Sequence, residues 1–141
     1  MSTASFLVDT SAFVRLPRDE SVRECWLDMA DAGMLAVCPL TEIEILRGAK
    51  SKAHRRELQS AIDSTYLWVL MPNRIFDRAK SVQEGMTYRG THKSAGTVDL
   101  LVAATAEEHG LTLLHYDRDF DQVAQVTGQQ VRWLADPGSI D

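Results

Sequence analysis

Cysteine is scarce in this chain, and long hydrophobic runs are missing. The 141 residues include only Cys25 and Cys38, which lack the CxxC spacing of a zinc or redox motif. We therefore expect two buried, reduced thiols and no disulfide. No apolar run is long enough to cross a membrane, and the N-terminus MSTASFLVDT lacks the basic start and apolar stretch of a signal peptide. These absences predict a cytoplasmic protein without a membrane partner.

The size of the chain suits one hydrophobic core and is small for two. With 141 residues and 45% hydrophobic content, it is predicted to form a single domain over residues 1–141. Short apolar segments alternate with amphipathic ones, and no repeat or low-complexity linker interrupts them. This alternation predicts an α/β fold of three layers, in which helices flank a short, mainly parallel sheet.

The charge balance argues at first against a nucleic-acid partner, because the net charge is −5 and phosphate binding is usually electrostatic. Basic residues are nevertheless clustered in two segments. The candidates for RNA contact are Arg47, Arg55, Arg56, Arg89 and Lys93. A basic run is often only a solvated face, and this alternative stays open. If both segments flank an acidic site, they would hold a polyanion while the acids hold its counter-cation.

The segment TVDLLVAATAEEHGLTLLHYDRDF predicts a buried helix, a glycine stop, a buried strand and an acidic strand end. Thr97 is the expected N-cap, and Gly110 is expected to end the helix in a left-handed conformation. In an open parallel sheet, ligands bind at the carboxyl ends of strands and near helix N-termini. The acids that this segment brings to such an edge are Asp99, Asp117 and Asp119.

A second strand end follows the apolar residues 6–8, where Asp9 precedes Thr10 and Ser11. One such carboxylate is best explained as a helix cap. Several carboxylates at one sheet edge would repel each other unless a cation neutralises them. We therefore expect a cation site, and at least one acid whose pKa lies above its ordinary value of about 4 in the metal-free protein.

A glutamate pair lies on the helix predicted to begin near Leu40. Glu42 and Glu44 are about 200° apart around the helix axis, so only one of them can face the site. Glu44 lies on the polar arc of the helical wheel, which favours it over Glu42. His92 and His115 are assigned no role, because a lone histidine beside an apolar strand is more often structural.

Two other amphipathic helices complete the predicted layers. The first begins at Ser21, is ended by Gly33 and has the inward residues Val22, Cys25, Trp26, Met29 and Ala30. The second is capped by Asn73 and has the inward residues Ile75, Phe76, Ala79, Val82 and Met86. Residues 66–70 are predicted as a strand between them.

The ordered motifs LVDTSA, EILRG, TVDLLVAATA and HYDRDF resemble those of the PIN-domain ribonucleases, and most closely those of the VapC toxins. The resemblance covers nearly the whole chain. It implies a catalytic acidic quartet of Asp9, Glu44, Asp99 and Asp117, supported by Ser11 and Asp119. It further implies that Asp9, Asp99 and Asp117 bind Mg²⁺ or Mn²⁺, hard cations that prefer carboxylate oxygens.

The function implied by the resemblance is a metal-dependent endoribonuclease that hydrolyses RNA phosphodiester bonds with a metal-activated water. Such a protein is the toxin of a VapBC pair, forms a homodimer and is inhibited by a VapB-like antitoxin. The antitoxin segment is expected in an apolar groove. The candidates for this groove are Trp26, Met29, Ile43 and Leu46.

Two other classes of protein remain as alternatives. A phosphoacceptor domain of the receiver or haloacid-dehalogenase type also ends buried strands in aspartate. A dehalogenase usually has a second aspartate where this chain has Ser11, and a receiver has a lysine that residues 111–119 lack. A catalytically silent PIN-fold binding module would be suggested by a missing acid, and none is missing.

Overall fold

Strands and helices alternate along the chain in the computed structural model, which describes residues 4–141. The strands are β1 (Phe6–Val8), β2 (Leu35–Val37), β3 (Leu67–Trp68), β4 (Thr112–His115) and β5 (Val131–Trp133). The helices are α1 (Thr10–Phe13), α2 (Glu20–Asp31), α3 (Pro39–Arg47), α4 (Lys52–Thr65), α5 (Ile75–Tyr88), α6 (Thr97–Glu108) and α7 (Asp119–Thr127). No helix within this range is both long and apolar enough to span a membrane.

The five strands form one parallel sheet in the order β3-β2-β1-β4-β5. The chain runs from β1 outward through β2 and β3, and then returns to the other side of β1 with β4 and β5. The boundary between β1 and β4 is therefore the point at which the strand order reverses. In open α/β sheets, the crevice at the carboxyl ends of such strands is the usual binding site.

The hydrophobic core lies on both faces of this sheet, as the predicted three layers require. Successive side chains of a strand point to opposite faces, so Leu7 and Leu113 pack beneath α5, α6 and α7. Val8 and Leu114 pack on the other face with Trp26 of α2. β1 and β4 are thus covered on both sides, which explains why their sequences are continuously apolar.

Several predicted details are wrong at the level of single residues. The N-cap of α6 is Gly96, since Thr97 is already helical, and the N-cap of α5 is Arg74 instead of Asn73. Gly110 does adopt the predicted left-handed conformation, with φ +68°. The predicted strand over residues 66–70 is shortened to the two residues of β3.

Two residues predicted to be buried are exposed. Phe76 is 68% exposed because it lies about 100° around α5 from Ile75, which heads the buried stripe of that helix. Cys25 is exposed for the same reason, since it lies one residue before the buried Trp26 on α2. Cys38 is buried and reduced, as predicted.

Candidate active site

We call the carboxyl ends of β1 and β4 the acidic edge. Its first residue, Asp9, directly follows β1. Its backbone N–H donates to the carbonyl oxygen of Leu114 in the neighbouring strand β4 (2.9 Å). The carboxylate oxygen Oδ2 accepts two hydrogen bonds from Ser11, one from the backbone nitrogen (3.0 Å) and one from Oγ (2.7 Å). The other oxygen, Oδ1, is buried and has no hydrogen-bond donor among residues 4–141. Burial raises the pKa of Asp9, and the Ser11 hydrogen bonds oppose this rise.

Ser11 connects the ends of the two central strands. While its Oγ donates to Asp9, the same oxygen accepts the backbone N–H of Tyr116 (2.9 Å), just after β4. One hydroxyl therefore fixes the carboxylate at the end of β1 relative to the chain that leaves β4. This geometry suits the supporting role that the sequence predicts for Ser11.

Asp117 lies on the β4 side of the crevice and is held at three of its polar groups. Its backbone N–H donates to Nδ1 of His115 (3.1 Å), and its carbonyl oxygen accepts the N–H of Phe120 (3.1 Å). Its Oδ1 accepts the backbone N–H of Asp119 (2.9 Å). Burial and the charge of Asp117 raise the pKa of the Asp119 carboxyl.

The two glutamates of α3 face different partners. The Oε1 atom of Glu44 accepts a hydrogen bond from Oγ1 of Thr10, the residue that follows Asp9. Glu42 instead accepts from the amide of Gln59 on α4 (3.1 Å). Glu44 is thus the glutamate at the acidic edge. Thr10 was not identified as a site residue from the sequence, because a hydroxyl beside an N-cap gives no sign of a partner 34 residues away.

Asp99 lies in the first turn of α6, where its Oδ2 accepts the backbone N–H of Gly96 (3.3 Å). Burial is the largest cause that raises its pKa to about 6, and the charge of Asp9 is the next. The charges of Asp117 and Glu44 contribute in the same direction. The four acids therefore interact electrostatically at one edge, and the predicted carboxyl of raised pKa is present.

The four carboxylates share one hydrogen-bonding pattern. In each, the described chain supplies donors to one oxygen and none to the other. The oxygens held are Asp9 Oδ2, Glu44 Oε1, Asp99 Oδ2 and Asp117 Oδ1. No three acidic, imidazole or thiol side chains in residues 4–141 converge closely enough to enclose an ion by themselves. Mg²⁺ does not require such a cage, because it usually keeps several waters and binds one or two carboxylates. The free oxygens fit this mode of binding.

The five basic candidates are all exposed: Arg47, Arg55, Arg56, Arg89 and Lys93. None of them forms an ion pair within the described part of the chain, where the acidic partners of arginine are Asp77 and Glu107. Arg89 and Lys93 lie in the segment between α5 and α6, immediately before the turn that carries Asp99. Their charges are thus available to a polyanion.

The predicted antitoxin groove is wrong in two of its four residues. Trp26 is 1% exposed and Leu46 is also buried, so both belong to the core. Ile43 is exposed, and Met29 is partly buried against the same core as Trp26 and Leu46, so the four residues do not form one open groove. A groove of about 330 Å³ lies instead between α1, α3 and α4, with an apolar lining of Phe13, Val14, Pro17, Ile45 and Leu58.

Comparison with known proteins agrees with the topology of the sheet. The sequence profile of the PIN domain matches residues 6–126. The chain belongs to the PIN-domain family. The predicted α/β fold with a parallel sheet is confirmed. Because the chain belongs to the PIN-domain family, the receiver and dehalogenase alternatives are excluded.

Several relatives match over nearly their whole length. This PIN domain is 36% identical over 139 residues to Ribonuclease VapC21 of Mycobacterium tuberculosis, covering 97% of this chain and 99% of the relative. It is 38% identical over 135 residues to Ribonuclease VapC2 of the same species, covering 95% of each. The solved structure of VapBC2 from Rickettsia felis bound to a promoter DNA fragment has a similar fold, with a TM-score of 0.76. That match covers 91% of this chain and 97% of the other at 15% identity.

Proposed function

We propose that this PIN domain is a Mg²⁺- or Mn²⁺-dependent endoribonuclease and acts as the toxin of a VapBC-type pair. The observation that carries the proposal is the set of four carboxylates at the β1/β4 crevice, each with one oxygen held by the protein and one that has no donor among residues 4–141. A catalytically silent module would not need to keep four like charges close together, since their repulsion costs stability. The relatives named as ribonucleases support the choice of RNA as the substrate.

Asp9, Asp99 and Asp117 are the residues that would hold the metal ion. When bound, the ion would lower the pKa of a water molecule and neutralise charge on the scissile phosphate. The free oxygen of Glu44 is suited to orient the attacking water and to accept its proton. Thr10 and Ser11 hold Glu44 and Asp9 in place, and Asp119 holds one oxygen of Asp117 through its backbone N–H.

The five unpaired basic residues are proposed to bind the RNA backbone. They lie on the helix α3 that carries Glu44, on the neighbouring helix α4 and in the segment before Asp99. Phosphate contacts of this kind add affinity without sequence preference and weaken as salt increases. The salt dependence of KM, compared between the wild type and a variant lacking Arg55 and Arg56, measures this contribution.

The proposed partner is a VapB-like antitoxin, whose C-terminal segment would occupy the groove between α1, α3 and α4. The groove begins at Phe13 and Val14, only one turn after the helix start that carries Asp9, so a segment in it can reach the acids. Arg18 and Lys50 line the same groove and suit a segment that combines apolar and acidic side chains. We further propose that the protein is a cytoplasmic homodimer. Light scattering would measure the mass of the dimer.

The test of the nuclease is a matched pair of variants on one helix. We expect RNA cleavage with Mn²⁺, none with EDTA, and a loss of at least 100-fold in kcat for Glu44→Gln, because the group that accepts the proton is removed. Glu42→Gln should retain the wild-type rate, since that side chain contacts Gln59. Asp99→Asn should also be inactive while folded. Cleavage in EDTA, or equal rates for the two α3 variants, would contradict the proposal.

A further inference from the structure

His115 is the last residue of β4 and is completely buried, yet the proposed chemistry gives it no part. Its Nδ1 accepts the backbone N–H of Asp117 at 3.1 Å. A ring nitrogen that accepts a hydrogen bond carries no proton, so the neutral imidazole has its proton on Nε2. The hydrogen bond to Asp117 therefore selects one tautomer of His115.

The opposite side of the ring faces α7 and β5. Nε2 is buried and has no hydrogen-bond partner in the described chain, but Oδ1 of Asp121 lies 3.9 Å away. The other oxygen of Asp121 accepts the indole N–H of Trp133 (3.2 Å). A carboxylate on this side favours a proton on Nε2, which is the tautomer that the Asp117 contact requires.

Aromatic packing fixes the plane of the imidazole. The ring centroids of Phe120 and Trp133 lie 5.2 Å and 4.9 Å from that of His115. The ring is thus held by the tilted rings of Phe120 and Trp133, by Asp121 near Nε2 and by the Asp117 amide at Nδ1. Its orientation cannot change without breaking one of these contacts.

We propose that His115 is a positioning residue for Asp117, which it holds through the hydrogen bond between Nδ1 and the Asp117 backbone N–H. The inference rests on the proposed metal site, in which Asp117 is a ligand. The carbonyl oxygen and Oδ1 of Asp117 are held by the N–H groups of Phe120 and Asp119, so the His115 contact adds a third point that orients the carboxylate. Loss of a partner that orients a metal ligand typically costs 10–100-fold in metal affinity.

Two substitutions separate positioning from packing. The amide oxygen of asparagine lies as many bonds from Cα as Nδ1 does, so His115→Asn keeps an acceptor for the Asp117 N–H. The longer side chain of His115→Gln carries its amide near the position of Nε2 and removes that acceptor. The probe is Mn²⁺ alone, titrated calorimetrically into the purified full-length chain. We expect the dissociation constant to rise at least 10-fold in His115→Gln and to stay within about threefold in His115→Asn.

The chain offers a matched control on α4. There Nδ1 of His54 also accepts a backbone N–H, that of Lys50 (3.0 Å). His54→Gln removes the same kind of hydrogen bond away from the acidic edge, and should leave Mn²⁺ affinity unchanged. Equal Mn²⁺ affinity in wild type, His115→Asn and His115→Gln would overturn the inference. An equal loss in both His115 variants would overturn it as well, since that result indicates packing alone.

A direct measurement of the tautomer keeps the inference testable if the variants do not fold. The ¹⁵N chemical shifts of the His115 ring in the wild-type protein should show a protonated Nε2 and an unprotonated Nδ1. The reverse tautomer would overturn the inference. If wild-type protein does not bind Mn²⁺, the proposed metal site fails, and the ring spectrum still decides whether His115 accepts the Asp117 N–H.

Discussion

Single hydroxyl groups hold the acidic edge together. Ser11 satisfies one oxygen of Asp9 and one backbone N–H beyond β4, and Thr10 donates to Glu44. Each is a short side chain in the first turn of α1, directly after the end of β1. The repulsive carboxylates are therefore fixed by neighbours that add no charge of their own.

Ser11→Ala is expected to lower the free energy of unfolding by about 1–3 kcal/mol, because the Tyr116 N–H loses its acceptor and Asp9 loses a donor. Urea unfolding of the metal-free protein measures the difference. Ser60→Ala on the exposed side of α4 is the control, and should change stability by less than about 0.5 kcal/mol. If the two variants are equally stable, the Ser11 bridge does not contribute as described.

The raised pKa of Asp99 predicts how stability depends on pH in the absence of metal. Its folded-state pKa is about 6, compared with an ordinary value of 3.8, so the folded protein holds this proton more tightly than the unfolded chain does. The resulting stabilisation is fully present below about pH 4 and is lost as the pH rises through about 6. Asp99→Asn removes this titration. We therefore expect the wild-type Tm, measured relative to that of Asp99→Asn in EDTA, to fall between about pH 4 and pH 7.

The same pair of proteins tests metal binding. A cation that binds only the folded state should stabilise the wild type by about 2.7 kcal/mol at 100 times its Kd, and Asp99→Asn should lose most of this gain. The affinity of the wild-type protein for the cation should increase as the pH rises through about 6, because protons compete for the same carboxylates. Ionic strength is held constant to separate binding from screening. An equal metal-induced gain in both proteins would contradict a shared site.

At the scale of elements, close contact between α5 and α7 requires a glycine. A Cβ atom added to Gly85 would lie 2.7 Å from Cγ1 of Val126. Valine has few rotamers in a helix, so it cannot easily move aside. The contact brings α7, whose N-terminus follows Asp117, against the helix pair that presents Asp99.

Gly85→Ala is expected to destabilise the protein by about 1–3 kcal/mol, although alanine favours a helix over glycine by about 1 kcal/mol. The double variant with Val126→Ala should recover most of the loss attributable to the clash, because the smaller side chain makes room. Gln83→Ala, at an exposed position of the same helix, is the control. A stabilised Gly85→Ala protein would show that α5 and α7 adjust without cost.

Over the whole molecule, four carboxylates gather at one crevice, whereas five basic residues elsewhere in the described chain are exposed and form no ion pair. The net charge of −5 hides this division. Free carboxylate oxygens suit a cation, and unpaired arginines suit phosphates, so the two sets together suit a metal-bound polyanion. The apolar groove between α1, α3 and α4 begins one turn after Asp9, so the proposed antitoxin segment would reach the same crevice from it.

Expression of the wild-type chain alone is expected to arrest bacterial growth, because an uninhibited ribonuclease would cleave cellular RNA. Co-expression with the product of a small adjacent reading frame should restore growth if that product is the antitoxin. Asp99→Asn, expressed to the same level, should be harmless and is the control for expression burden. Normal growth with active wild-type protein would contradict the toxin function but not the nuclease.

Local sequence patterns were enough to predict the order of the strands and helices and the positions of Asp9, Asp99 and Asp117 along them. Two apolar strands could be predicted just before Asp9 and Asp117, and a helix start just before Asp99. These predictions required only local patterns and the rule that ligands bind at the carboxyl ends of parallel strands. The left-handed conformation of Gly110 could be predicted for the same reason, since the signal that ends a helix lies within a few residues. The structure places Glu44 beside Thr10 and Glu42 beside Gln59, and the helical wheel could not supply either partner.

Features that depend on contacts between distant segments could not be predicted from local patterns. Cys25 and Phe76 are exposed because each helix buries only a narrow stripe of side chains. The helical period of 3.6 residues does not specify the width of that stripe. Trp26 and Leu46 are buried, and an accessible apolar groove lies between α1, α3 and α4 instead, since packing decides which apolar residues remain accessible. The contacts of His115 with Asp117 and Asp121 could not be predicted either. A buried histidine has the same sequence pattern whether it orients a metal ligand or only fills the core.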